Sequence, residues 1–457
     1  MIINILPAVI LVATIIFILL QRILNIKDEQ NLILALLGVI LAFVANFHYL
    51  PDMDPAGLNT DFLGRLAAGG GLAAVIFTLS LTFGEKKLRE KYAAFSILLL
   101  TGAVGLIAAT ASLNLLVVFI GLELICLSCY FLSTFTENGY EMEIFHRDSA
   151  ATVAFLGGMG LFFLETGTLE LEVVTSGTET LTTTGQAGLL LLIIFLFIRS
   201  GIIPFHKLQL QEESRAVAPA AFYISIVPRI FSFVLLFRLT DLFSNFAAWR
   251  LILTGFAGLT IILGSMLAYV QKDPRRMLAY SSVVHSGLLL AGLTAAEPPV
   301  FGAVIYFLFL LLVMNTVAYG VIYKSTAAGK KNKFTALNNL GSNSIFAAPC
   351  AAVAMLSLAG FITTGGFTGR FYLLQTILAD KNYFLLFSVF AGTIISLGYY
   401  LQTIICIFSC SEKTTGKKVS FHPFFYPGCL LATFMIIYAG LYPNFLIEFI
   451  RQGLGGG

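Results

Sequence analysis

Apolar runs of about 20 residues, separated by short polar segments, recur along the whole 457-residue chain. An α-helix rises 1.5 Å per residue, so about 20 apolar residues cross the ~30 Å hydrocarbon core of a bilayer. Counting such runs predicts helices 1 to 14 at 3–21, 30–49, 64–84, 92–110, 112–134, 149–166, 186–209, 216–241, 248–270, 276–294, 299–324, 345–379, 382–409 and 422–448. The expected fold class is an all-α polytopic membrane protein of about 14 transmembrane helices.

The polar segments between the runs alternate in charge. Those after odd-numbered helices carry Arg22 and Lys27, then Lys86, Lys87, Arg89 and Lys91, then Arg147, then Lys207 and Arg215. The pattern continues with Lys272, Arg275 and Arg276, then Lys324, Lys330, Lys331 and Lys333, and finally Lys413, Lys417 and Lys418. Segments after even-numbered helices, such as PDMDPAGLNTDF at 51–62 and the acidic stretch at 165–185, carry few basic residues. Basic loops stay in the cytoplasm, so both termini are expected on the outer, periplasmic side. A bacterial inner (plasma) membrane is the expected location.

Two predicted helices are interrupted. Helix 7 contains IRSGIIPFH (198–206), and helix 12 contains GFITTGGFTGRFY (360–372). Proline removes a backbone donor and glycine loosens a helix, so both segments should break. Within a membrane such breaks survive only inside protein or beside a wet cavity. Helices 7 and 12 lie five apart and therefore run in opposite directions, as in inverted-repeat transporters. The expected organisation is peripheral helices 1–3 over 1–91, a first five-helix repeat (helices 4–8) over 92–242, a second (helices 9–13) over 243–409, and a cytoplasmic loop with helix 14 over 410–457.

Composition narrows the function classes. Only 11% of residues are charged, and mean hydropathy is +0.91. Soluble domains carry about 25% charged residues, which leaves no room for one here. The first 21 residues lack a basic n-region and a small-residue cleavage site, so they read as a retained helix. Among six cysteines, Cys126 and Cys129 form a C-x-x-C, and Cys406 and Cys410 are four apart, all within apolar helical runs. One isolated pair does not supply the four ligands of a structural zinc site, so these are read as small buried apolar residues. The run GGGLAAV (69–75) in helix 3 suits close helix packing. No nucleotide-binding loop, metal-ligand cluster or nucleophile–base pair stands out. No nucleic-acid partner is expected.

The informative residues are charged ones inside apolar runs: Glu123 in helix 5, Arg199 before the break in helix 7, Arg229 in helix 8 and Arg370 after the break in helix 12. A charge at the bilayer centre costs roughly 2.5–3.5 kcal/mol on insertion scales and usually marks an ion or proton path. His285, in the middle of helix 10 one turn after Ser281 and Ser282, titrates in the right range to join such a path. The bland reading is a satisfied core histidine, and for Glu123 a buried ion pair, with Arg199 as its expected partner. Arg238, near the outer end of helix 8, reads as snorkelling to the interface. Asp148 and Glu165 read as interfacial groups at helix ends.

At these residues the chain resembles the antiporter-like membrane subunits of respiratory complex I, the proton-translocating NADH:quinone oxidoreductase. GLELICLSCYFL (121–132) is similar to the family's glutamate-bearing helix 5, and GIIPFHKLQ (201–209) to its broken helix 7. DPRRMLAYSSVVHSGLLLAGL (273–293) resembles its K-R-L-L-A-Y-S-S-I-x-H-x-G segment, and GFTGRFYLL (366–374) its G-F-x-G-K-F-Y segment. The resemblance covers helices 4–13 and is greatest to the fourteen-helix member, subunit N. The family's longest member carries a lateral amphipathic helix after helix 14, which is not expected here.

The resemblance implies a proton pathway through Glu123, Arg199, Arg229, His285 and Arg370. It implies no cofactor in this chain, with quinone, flavin and iron–sulfur clusters in other subunits. Partners would be other membrane-arm subunits, including antiporter-like neighbours, and the lipid bilayer. The three arginines stand where the family has lysines, and the P-D-V-Y-E-G-A-P loop is replaced by LQLQEESRAVAPAAF. Lysine can release a proton when buried, whereas arginine stays charged. Two alternatives remain open: a subunit of a multisubunit cation/proton antiporter or membrane-bound hydrogenase, and a non-conducting structural membrane subunit.

Overall fold

A backbone surrounded by hydrocarbon must satisfy its own hydrogen bonds, and this chain does so with helices. The computed structural model describes residues 2–24, 28–48, 62–135, 142–171, 182–244, 247–294, 299–326, 333–409 and 421–453. Lys27, residues 51–61, residues 172–181 of the acidic stretch, Lys330, Lys331, Cys410, Lys413, Lys417 and Lys418 lie outside the described residues.

The longer helices are α1 (Ile2–Ile23), α2 (Asp28–Phe47), α3 (Phe62–Thr82), α4 (Tyr92–Ala111), α5 (Leu115–Thr134), α6 (Met142–Thr166), α7 (Thr183–Ser200), α8 (Lys207–Arg215) and α9 (Ala218–Ser244). They continue with α10 (Ala247–Tyr269), α11 (Pro274–Leu293), α12 (Pro299–Ser325), α13 (Ala347–Ala359), α14 (Gly365–Ala379), α15 (Tyr383–Phe408), α16 (Phe425–Leu441) and α17 (Pro443–Gly453). Among the described residues there is no strand, only an isolated bridge between Asn114 and Glu170. Among the described residues, eleven helices are long and apolar enough to cross a membrane, or twelve if α16 and α17, bent by 88°, form one crossing.

Local chemistry sets several ends. Asn114 caps α5 by accepting from the Leu116 N–H at 2.9 Å. Asp273 caps α11 by accepting from Arg275 N–H at 2.9 Å, with Pro274 at the first position. The predicted run 422–448 is not one helix: Pro443 starts α17 at a sharp angle to α16. On this short final helix Ile447 and Ile450 are buried while Phe445 and Phe449 are exposed.

Two compact units contain these helices. The first comprises residues 1–200 and 227–246, the second 201–226 and 247–457. In the first unit α4 and α5 pack backbone to backbone. A Cβ on Gly105 would lie 2.4 Å from the Gly121 carbonyl oxygen, so only glycine allows this approach. Glycines of the 69–75 run also meet neighbours, with Gly69 against Phe47 and Gly71 against Leu106. In the second unit α12 is almost wholly buried, while α15 keeps an apolar outer face that includes Phe387, Phe390 and Ile394. Large exposed apolar side chains on many helices fit a hydrocarbon surround.

Candidate functional site

In the first unit, Arg199 sits in the last turn of α7, where a cation is favoured by the helix dipole. Its guanidinium pairs with the Asp148 carboxylate of α6, and both side chains are buried. Glu123, half-buried on α5, instead accepts a hydrogen bond from the Thr152 hydroxyl at 2.8 Å. Helix α6 begins at Met142 rather than near 149, which places Asp148 inside it and overturns its reading as an interfacial group. The predicted helix 6 started at 149 and left Asp148 at its edge, whereas the Arg199 partner compensates the buried carboxylate. Glu165, one residue from the end of α6, is bonded to Thr182 at the surface. Arg229 follows Pro228 inside α9 and is completely buried.

Arg238 does not snorkel. It is 9% exposed and donates to the carbonyls of Thr110 at 2.7 Å and Ser112 at 3.1 Å. These lie at the C-terminal end of α4, where helix carbonyls have no intrahelical donor.

The second unit repeats this device three times. Arg275, counted above among loop charges, is buried in the first turn of α11. It donates to the Tyr323 and Thr326 carbonyls at the end of α12, at 2.6 and 2.7 Å. Arg250 donates to the Thr294 carbonyl, the C-cap of α11, at 2.9 Å, and pairs with Asp380. Arg370 donates across the break between α13 and α14, to the carbonyls of Ala359 (2.9 Å) and Leu358, and to the Thr393 hydroxyl (3.3 Å).

The Arg370 site follows from the local backbone. Gly360, at φ +81°, ends α13 in a left-handed turn. Gly360 N–H donates to the Ser357 carbonyl at 2.9 Å, and Phe361 N–H to the Leu356 carbonyl at 3.0 Å. This pattern satisfies two of the last four carbonyls. The other two, Leu358 and Ala359, are those that Arg370 takes. The next helix starts with Gly366 N–H donating to the Ser357 hydroxyl at 2.9 Å. A planar fork suits two adjacent carbonyls better than an ammonium does, which gives arginine a physical reason at this position.

The break between α7 and α8 is held differently. Gly201 is at φ +75°, and Ile203 N–H donates to the Thr260 hydroxyl at 3.1 Å. His285, buried on α11, contacts the Tyr400 hydroxyl through Nε2 at 3.2 Å, and Tyr400 shares a 2.5 Å hydrogen bond with Ser281. His285 thus belongs to a buried polar network rather than an apolar core.

Glu213 on α8 is also buried, and it was missed because LQLQEESR reads as a cytoplasmic loop. Its carboxylate accepts from the Ser282 hydroxyl at 3.0 and 3.1 Å and from the Tyr319 hydroxyl. Leu208, Gln209, Glu212 and Glu213 are the buried residues of α8, at helical spacing. That one-turn recurrence was the available signal, but three of the four side chains are polar, so a hydropathy count passes over it.

The structure therefore gathers Asp148 with Arg199 and Glu123 with Thr152 in the first unit, and His285 with Ser281 and Tyr400 in the second. Among the described residues, no group of three or more His, Cys, Asp or Glu side chains is placed to hold a metal.

With these broken helices and buried charges in place, residues 112–396 match the family described as NADH:quinone oxidoreductase/Mrp antiporter, TM. The chain belongs to this family. It is a multi-pass membrane protein. Over 449 residues it is 28% identical to the "NADH-quinone oxidoreductase subunit N 1" of Chloroherpeton thalassium, covering 93% of each chain. The fold matches a chain of respiratory complex I from Thermus thermophilus with a TM-score of 0.85 at 20% identity, covering 97% of this chain and 98% of that one. It also matches a chain of the membrane-bound sulfane sulfur reductase, an archaeal respiratory membrane complex, with a TM-score of 0.88 at 17% identity, covering 99% and 97%.

Proposed function

We propose that this chain is a proton-translocating membrane-arm subunit of a complex I-type NADH:quinone oxidoreductase, most like subunit N. The observation that carries the reading is the set of ionisable groups buried within helices of a chain belonging to this family. Redox chemistry would take place in other subunits, which carry the flavin, iron–sulfur clusters and quinone. This chain would move protons and touch other membrane-arm subunits and lipid.

The topology behind this reading has fourteen crossings. Three are added to the eleven long apolar helices. They are α16, α11, whose charges and hydroxyls lower its hydropathy, and the broken pair α13/α14, whose halves are each too short alone. Helices α4 to α9 and α10 to α15 then form two inverted five-crossing repeats, each with one broken crossing. Both termini lie outside a bacterial inner membrane.

Glu123, Arg199, Arg229, His285 and Arg370 form the proposed proton pathway, with unequal roles. Arginine does not lose its proton. The arginines therefore act as fixed charges, and the groups that exchange protons are Glu123 and His285, with hydroxyls between. A hydroxyl bond from Thr152, rather than an ion pair, supports Glu123 in that role.

The test is proton uptake per electron by the whole complex in vesicles, with assembly checked separately. Glu123→Gln should lower the ratio. Arg229→Lys should retain most of it and Arg229→Met should not. Unchanged pumping in Glu123→Gln and Arg229→Met would favour a structural subunit. The family's inclusion of Mrp antiporters keeps a second reading, a cation/proton antiporter subunit. Co-purification without quinone-reducing subunits, and sodium-dependent proton exchange, would favour it.

A further inference from the structure

Glu213 is a fully buried carboxylate that none of the pathway residues named above requires. Burying a carboxylate is costly unless its bonds are made, and two hydroxyls are among the donors here. Tyr319 Oη and Ser282 Oγ donate to the carboxylate, and Tyr323 Oη donates to the Glu213 backbone carbonyl at 3.3 Å. The charged and titratable groups nearby are its chain neighbours Glu212 and Arg215 on α8, Tyr319 and Tyr323 on α12, and Arg275 and Asp273 at the start of α11, both of which act on Tyr323. Arg275 lies over the Tyr323 ring, 4.6 Å from its centroid, and spends donors on the end of α12. Tyr319 also bonds Ser225 of α9.

One of these hydroxyls has a second acceptor. Ser282 Oγ lies 3.0 Å from the Ala279 carbonyl as well as 3.0 Å from the Glu213 carboxylate. With Glu213 ionised, the serine proton points to the carboxylate. With Glu213 protonated, the serine proton turns to the Ala279 carbonyl, and the new acid O–H donates to Ser282 Oγ. Both states keep their hydrogen bonds, and one O–H bond forms on the glutamate for each proton taken up. A guanidinium, which only donates, has no such pair of states.

We propose that Glu213 is a proton-carrying carboxylate of the second unit, taking up and releasing one proton through the Ser282 hydroxyl. It supplies there the exchangeable proton that Arg370 cannot. Ser281, the residue before Ser282 on α11, bonds Tyr400, which also contacts His285. The proposal rests on the proton-translocating reading above and adds a residue to it.

The experiment uses the purified complex. Proton uptake per electron is measured in vesicles, and infrared difference spectra between resting and turning-over states are recorded. Glu213→Gln should lose this subunit's share of the protons and one C=O band of a protonated carboxylic acid. Glu213→Asp should restore both in part. An unchanged ratio and band in Glu213→Gln, with a lowered ratio in Glu123→Gln, would overturn the role of Glu213 and leave the proposed function standing. An unchanged ratio in both would overturn both. If Glu213→Gln does not assemble, Ser282→Ala keeps the carboxylate and removes its switching partner. A lowered ratio then supports the proposal, and an unchanged ratio and band overturn it.

Discussion

Replacing Arg370 separates its part as a helix cap from its part as a charge. The side chain is 6% exposed and donates to two carbonyls that the turn at Gly360 leaves without partners. Hydrogen bonds to a charged group contribute about 1.5–3 kcal/mol each, net of desolvation. Arg370→Met removes both carbonyl bonds and should loosen the end of α13 by about 3–6 kcal/mol. Arg370→Lys keeps the charge but reaches one carbonyl at a time, so about half that loss is expected. Hydrogen exchange at the amides of 359–366, read by mass spectrometry on the assembled complex, measures local opening. Each 1.4 kcal/mol is tenfold in the opening equilibrium, so Arg370→Lys should exchange about 10- to 100-fold faster than the parent and Arg370→Met faster still. Exchange in Arg370→Met equal to the parent would refute the cap. Equal exchange in the two variants would show that the fork geometry contributes nothing.

Two further substitutions probe the packing around the buried charges. Asp148→Asn leaves Arg199 without its carboxylate and should cost about 3–5 kcal/mol, seen as lower Tm or reduced assembly. Glu123→Gln, bonded to one hydroxyl, should stay within about 1 kcal/mol of the parent, and the reverse ranking would mean that Glu123 is the true counter-ion. Gly366→Ala places a Cβ 1.7 Å from the Ser357 carbonyl oxygen, whereas Gly255→Ala meets nothing within 4 Å. The first should destabilise by about 1–3 kcal/mol or more through overpacking, the second should be neutral or slightly stabilising, and thermal unfolding of the two variants compares them directly.

The apolar runs by themselves determined the helical class and nearly every long helix. The reason is that hydrocarbon imposes one length and one hydrogen-bonding solution on the backbone, so the signal is local. Gly201 with Pro204 and the glycines from 360 to 369 marked the breaks because their chemistry acts within one helical turn. The sequence also singled out Arg199, Arg229, His285 and Arg370 as buried, since each stands inside an apolar run.

Partnership was different. Asp148 was read as a helix-end group and Arg238 as snorkelling, because hydropathy treats every charge alike and cannot see a compensating group far along the chain. Asp148 lies 51 residues before Arg199, and the α4 carbonyls that Arg238 bonds lie 126 and 128 residues before it. Glu213 was lost for the same reason, in a stretch that reads as loop but packs its polar face against hydroxyls of α11 and α12. The last long run was split by Pro443, whose effect depended on where the chain turned. A single sequence records which residues are costly to bury. Only the tertiary structure decides which distant carboxylate, hydroxyl or helix end compensates each one, because that compensation is set by helix packing rather than by neighbours along the chain.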